Sequence, residues 1–218
     1  MAKRNILKGN DPALRKKSRA VADFNKRLHI LLDDMRETLL EANGLGLAAP
    51  QVGVLRRVIL VVDPENDSGD AGDQIIELVN PEIIAKSGEQ TGSEGCLSIP
   101  GVYGIVTRPA LVRIKAQDRQ GNEIELWSKD LLARAICHEI DHLNGVVFTT
   151  LTDRFLTEEE LEALAAEKES GGANGEKTDK EKDNEKDNDT DNDTDNEKVK
   201  ERGSGSDKDN ESEGSSGD

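Results

Sequence analysis

The chain has 218 residues and a formal net charge of −16, with 34% hydrophobic and 34% charged residues. No stretch approaches the ~18 consecutive apolar residues of a membrane span, and so acidic a balance argues against a nucleic-acid backbone as the main partner. The two cysteines, Cys96 and Cys137, accompany no secretory pattern after Met1-Ala2-Lys3-Arg4-Asn5, so reduced thiols in the cytoplasm are expected.

Residues 23–42 read as one amphipathic helix. Leu28, Leu31, Leu32, Met35, Leu39 and Leu40 recur at helical spacing, and Asn43-Gly44 supplies a stop. A glycine-rich segment follows, Gly44-Leu45-Gly46-Leu47-Ala48-Ala49-Pro50-Gln51-Val52-Gly53. Its Gly44-x-Gly46-x-x-Ala49 spacing imitates a dinucleotide fingerprint, but that motif must follow a strand and open a helix. Here a helix precedes and Pro50-Gln51 follows. Gln51 matters more, as a neutral side-chain donor able to stabilise an oxyanion.

Residues 58–62, Val-Ile-Leu-Val-Val, predict a buried strand, and 63–73 a polar loop. Further strands are expected at 75–79 and, separately, at 83–85. Residues 111–116 and 123–126 predict two strands joined by a turn at 118–122. Residues 131–143 predict a helix ended by Asn144-Gly145. Thr157-Glu158-Glu159-Glu160 is a capping box opening a last helix with Leu161 and Leu164 on its apolar face. From Ser170 onward the only apolar side chains are Ala173 and Val199, and 17 acidic against 8 basic residues carry −9 of the net charge. Such a segment cannot offset its ordering entropy. The expectation is an α+β domain over 1–168, with antiparallel sheets around a central metal-binding helix, and a disordered acidic low-complexity tail over 169–218.

The chemistry concentrates in His138-Glu139-Ile140-Asp141-His142. On a helix, positions i and i+4 share a face, so His138 and His142 can hold one metal ion, and Glu139 can take a proton from a water on that ion. The bland alternative is two ordinary helical histidines, yet two of only three histidines occupy the motif with Glu in the required slot. A third ligand is needed. Cys96, flanked by Gly95 in Ser93-Glu94-Gly95-Cys96-Leu97-Ser98-Ile99-Pro100-Gly101, is the candidate, because thiolate suits Zn²⁺ and Fe²⁺. Cys137, about 100° around the helix from His138, reads as a buried hydrophobe. Glu94 and Arg108 are a candidate ion pair orienting the Cys96 loop, or else two solvated charges. Asp141 is a candidate support one turn from His138.

Three segments in this order resemble the peptide deformylase family: Gly44-Leu45-Gly46-Leu47-Ala48-Ala49-Pro50-Gln51, Glu94-Gly95-Cys96-Leu97-Ser98 and His138-Glu139-Ile140-Asp141-His142-Leu143. The likeness includes the opening Asp11-Pro12-Ala13-Leu14-Arg15 and covers roughly residues 6–164. It implies a hydrolase that removes the formyl group from the N-terminal formyl-methionine of new proteins. It implies one Fe²⁺, with Zn²⁺ as a substitute, on Cys96, His138 and His142. Glu139 would be the general base, with Gln51 and the Leu97 backbone N–H as oxyanion donors. Peptide would lie along Leu45, Gly46, Gly95 and Leu97. The implied partners are N-formyl-methionyl peptides and nascent chains, with the ribosome that presents them. After Gly145 the family continues with a short apolar strand and an Asp-Arg pair; here Val146-Val147-Phe148 is followed by four more residues before Asp153-Arg154.

Two rivals remain open on sequence. A His-Glu-x-x-His endoprotease would take a later carboxylate such as Glu162 as third ligand. A metal-stabilised binding module would need a fourth ligand, for which only Cys137 and His29 are of the usual soft type.

Overall fold

The computed structural model of the chain describes residues 2–66, 69, 72 and 74–171. In chain order its main elements are helix α1 (Lys26–Ala42), strands β1 (Gly46–Ala48), β2 (Val58–Val62), β3 (Ile75–Ser87), β4 (Gln90–Cys96), β5 (Ile99–Arg108), β6 (Leu111–Gln117) and β7 (Glu123–Lys129), then helices α2 (Asp130–Leu143) and α3 (Glu158–Gly171). Short 3-10 turns occupy Pro12–Arg15, Ala49–Val52 and Phe148–Thr150. The strands form a five-stranded antiparallel sheet in the order β1-β2-β3-β6-β7 and a separate two-stranded ribbon, β4-β5. The expected mixture of helices and antiparallel strands is therefore what the chain adopts. Among the described residues, no helix is long and apolar enough to cross a membrane.

β2 explains why its sequence is apolar without alternation. Val58 and Leu60 point into a core with Leu28, Leu31, Leu32, Met35 and Leu39 of α1. Ile59 and Val61 point the other way, into a core with Ala133, Ile136, Ile140 and Leu143 of α2. The sheet is covered by one helix on each side here, and these four of the five β2 residues are fully buried. Each such side chain contributes about 1.5–3 kcal/mol by leaving water.

α1 begins three residues later than the pattern suggests. The Asn25 side chain accepts the Arg27 N–H at 2.9 Å and caps the helix there, leaving 23–25 outside it. Asn43 ends α1 in a left-handed conformation, φ 49°. Residues 75–79 and 83–85, expected as two strands, are one. Pro81 is absorbed because Asn80 takes φ 53° and the register with β6 shifts on both sides of Glu82. The Asn80 side chain secures that irregularity, accepting from Val21 N–H at 2.8 Å and donating to Val21 O at 2.9 Å and the Gln117 side chain at 2.7 Å.

Three strands carried no recognisable pattern. β1 is short and starts on glycine. β4 reads Gln-Thr-Gly-Ser-Glu-Gly-Cys, with only Glu94 and Cys96 buried. β5 contains two glycines and a proline. After Gly145, where the resemblance implied a short strand, Val146 and Val147 lead into the 3-10 turn Phe148–Thr150. Val147 and Phe148 are buried with Leu14, Cys96 and Val106, and Arg154 O accepts the Ile105 N–H of β5 at 2.9 Å. α3 opens on the expected capping box, with Glu160 N–H to Thr157 Oγ1 at 3.2 Å and Thr157 N–H to Glu160 Oε2 at 3.0 Å. It continues through Gly171, three residues beyond the expected domain end at 168. The rest of the expected tail lies outside the described residues.

Candidate active site

α2 presents His138 and His142 on one face, one turn apart, with ring centroids 5.0 Å from each other. The β4-β5 ribbon brings Cys96 to them, its Sγ 3.2 Å from His142 Nε2. One donor atom from each of Cys96, His138 and His142 lies within 4.8 Å of the others, and all three residues are buried. A thiol and two imidazoles at this spacing are the donor types that bind Zn²⁺ or Fe²⁺.

The rings are held from behind. His138 Nδ1 donates to Glu94 Oε2 at 3.0 Å, which leaves its Nε2 for the cluster. Burial works against a charged His138 ring, but hydrogen bonds with Cys96 and Glu94 outweigh it and push its pKa up to about 10. His142, buried beside His138 and with Nδ1 unpartnered among the described residues, is pulled down to about 3.

Glu94 is itself fixed by Arg108, Nε to Oε1 at 2.8 Å and Nη2 to Oε2 at 2.9 Å. Burial alone would raise its pKa, but bonds from Arg108 and His138 hold it at about 2. Arg108 also reaches Asp141 at 2.5 Å. The candidate Glu94–Arg108 pair is thus a buried ion pair, and Asp141 meets Arg108 directly.

Glu139 lies beside the cluster and is 4% exposed. Its Oε2 has no hydrogen-bond partner among the described residues, and burial pushes its pKa up to about 7. A desolvated, unpaired carboxyl near neutrality suits proton transfer. Gly46 packs directly on it: a Cβ at position 46 would lie 2.5 Å from Glu139 Oε1 and 2.7 Å from its Cγ. Gly46→Ala must therefore displace the carboxylate. Misplacement by about 1 Å can lower turnover by about 10²-fold, so kcat should fall on that scale while the metal content measured on the purified variant stays at the wild-type level.

Gln51 sits in the 3-10 turn after β1. Its side-chain oxygen accepts the Ala48 N–H at 2.7 Å, which turns the amide nitrogen toward Cys96 Sγ at 3.5 Å and Ser98 Oγ at 3.2 Å. The N-terminal segment ties this turn to the Cys96 loop. Leu7 N–H donates to Gln51 O at 2.8 Å, Gly9 N–H donates to Ser98 O at 2.8 Å, and Lys8 Nζ donates to Leu97 O.

These groups border one cleft of about 440 Å³, lined among others by Leu45, Gly46, Gln51, Gly95, Cys96, Leu97, His138 and Glu139. Of the nine residues nominated as ligands, catalytic groups or peptide contacts, all but His142 line it, and His142 contacts Cys96 just behind; Arg108 and Asp141 support Glu94 from outside the cleft. Residues not anticipated are Lys8, Ser98 and Arg134; the last lies one turn before His138 on α2 and is buried there. The rivals' ligands lie elsewhere. Glu162 is exposed on α3, His29 bonds Arg119 O at 2.8 Å, and Cys137, its thiol pushed up to about 11 by burial, is outside the cluster.

Comparison with known proteins agrees with this geometry. The polypeptide deformylase family matches residues 3–157. A peptide deformylase of Alkaliphilus metalliredigens is 54% identical over 149 residues, 68% of this chain and 96% of that one. The crystal structure of a peptide deformylase from Legionella pneumophila is similar with a TM-score of 0.64 and 38% identity, covering 80% of this chain and 100% of that one. A Met-Ala-Ser-bound peptide deformylase from Acinetobacter baumannii has a TM-score of 0.63 and 35% identity, covering 69% and 98%. The chain belongs to the polypeptide deformylase family, metallohydrolases that remove the formyl group from the N-terminal methionine of nascent chains.

Proposed function

We propose that Cys96, His138 and His142 hold the catalytic cation, that Glu139 is the general base and acid of deformylation, and that Gln51 and Leu97 supply the oxyanion donors. The observation that carries this reading is the sulfur–imidazole–imidazole group placed beside a buried carboxylate with an unpartnered oxygen, at the wall of a peptide-sized cleft. When bound, a divalent cation there would lower the pKa of a water and polarise the formyl carbonyl.

Glu139 takes the proton as the water oxygen bonds to the formyl carbon. The Gln51 amide, aligned by Ala48, and the Leu97 backbone N–H donate to the oxygen on which negative charge develops; losing one such donor typically lowers the rate about 10²–10³-fold. The C–N bond then breaks, Glu139 returns the proton to the leaving amine, and formate and a free N-terminus result. Glu94 keeps His138 in the tautomer that offers Nε2.

Peptide lies extended along Leu45–Gly46 and Gly95–Leu97, pairing through its main chain. The relative that binds Met-Ala-Ser supports a ligand beginning with methionine. Fe²⁺ is the proposed metal, with Zn²⁺ able to replace it, and nascent chains at the ribosome in the cytoplasm are the proposed setting. Residues 1–168 are proposed to suffice for catalysis, with 169–218 as an acidic appendage.

The test is formate release from formyl-Met-Ala-Ser by anaerobically purified protein, with metal analysis alongside. Stoichiometric formate and free amine, with one Fe²⁺ or Zn²⁺ per chain, are expected. Fully metallated protein that releases no formate would sink the reading.

A further inference from the structure

Cys96 and the two histidines come from different parts of the fold. The histidines stand on α2, whereas Cys96 ends β4 in a two-stranded ribbon that is not hydrogen-bonded into the five-stranded sheet. Something must set the ribbon against the helix. Within the ribbon Glu94 of β4 pairs with Arg108 of β5, and this pair meets α2 at two single points, the first being Glu94 Oε2, which accepts from His138 Nδ1 at 3.0 Å. The second is Arg108 with Asp141, whose side chain is 24% exposed.

Arg134 is different. It belongs to α2, one turn before His138, and is 8% exposed. Its Nη1 donates to Glu94 Oε1 at 3.0 Å and to Val106 O of β5 at 3.0 Å, with Gly92 O of β4 at 3.4 Å. Its Nη2 donates to Gln90 O of β4 at 3.0 Å. One guanidinium thus grips both ribbon strands and the carboxylate behind His138. The ribbon makes room for it: a Cβ at Gly92 would meet Arg134 Nη2 at 3.3 Å. Only a planar fork with several fixed donors matches these acceptors; a lysine ammonium offers a single point.

We propose that Arg134 is the positioning residue that holds the Cys96-bearing ribbon in register with the α2 histidines and so sets the affinity of the cation site and the part the Cys96 sulfur takes in it. This rests on the reading that Cys96, His138 and His142 hold the cation. Arg134 lines the same cleft but bonds none of the three donor atoms; it acts on the cation site through the ribbon and through Glu94.

The experiment measures Zn²⁺ affinity by chelator competition and the thiolate-to-metal absorption of the Co²⁺-loaded protein, in wild type, Arg134→Met, Arg134→Lys and Leu32→Ala. Leu32 is buried in the α1 core away from the site and controls for lost stability. Arg134→Met is expected to weaken Zn²⁺ binding about 10–100-fold, as loss of a supporting contact typically does, and to weaken the thiolate band. Arg134→Lys, keeping charge but losing the fork, should fall between Met and wild type. It serves as the test where Met does not fold. Leu32→Ala should leave both readouts near wild type. Folded Arg134 variants with wild-type affinity and an unchanged Co²⁺ spectrum would overturn the proposal, as would an equal affinity loss in Leu32→Ala. A wild-type protein whose Co²⁺ spectrum has no thiolate band, and whose affinity Cys96→Ser leaves untouched, refutes the site reading itself and takes this inference with it.

Discussion

Glu139→Gln is expected to lower kcat for formate release by about 10²–10⁴-fold, the range for a positioned general acid–base, while the purified variant keeps its metal. The substitution preserves size and leaves Cys96, His138 and His142 in place, so binding of cation and peptide should survive. What it removes is the proton acceptor. Glu139 can serve because burial has raised its carboxyl to about 7 and because its Oε2 has no competing partner among the described residues. A divalent cation on the neighbouring ligands pulls that value down by favouring the carboxylate. The acid limb of kcat/KM in the metallated wild type should therefore lie below pH 7, with activity rising as the base deprotonates. In Glu139→Gln that limb should vanish from the residual rate. Near-wild-type turnover in a folded, metal-replete variant would exclude Glu139 as the base.

How far the sequence carries depends on what kind of force shapes each part. α1, α2 and β2 are legible because burial of one helical stripe, or of both faces of a strand, leaves a period in the chain. The ribbon is not legible, because Gln90–Cys96 buries a carboxylate and a thiol where a strand pattern would show alternating aliphatic residues. Its shape comes from long-range bonds made by Arg108 and Arg134, which local periodicity does not encode. The expected separation of 75–79 from 83–85 fails for a similar reason: Asn80 spends its side chain on Val21 and Gln117, 59 and 37 residues away, and carries the strand through. The candidate site is easier to read than the fold around it. Residue chemistry nominated Cys96, His138, Glu139, His142 and Gln51, and the structure gathers them. Arg134 was passed over because an arginine on an amphipathic helix ordinarily reads as solvated, and its burial is visible only once β4 and β5 lie against it.

Cys96→Ala is expected to lose the metal and, with it, turnover down to the background rate. Removing the thiol leaves two imidazoles, short of the three protein ligands usual for a catalytic site. Among the described residues, no other Cys, His, Asp or Glu belongs to the cluster to replace it. Thermal unfolding supplies a readout independent of activity. A ligand that binds only the folded state stabilises it by about 2.7 kcal/mol at a hundredfold excess over Kd, so added Zn²⁺ should raise the Tm of the metal-stripped wild type and leave that of Cys96→Ala nearly unchanged. Glu162→Ala is the counter-variant. Glu162 is exposed on α3 and outside the cluster, so its loss should change neither metal content nor formate release. The opposite pattern, metal retained by Cys96→Ala and lost by Glu162→Ala, would require a rearranged site in which the carboxylate, not the sulfur, completes the coordination, and would return the protease reading to first place.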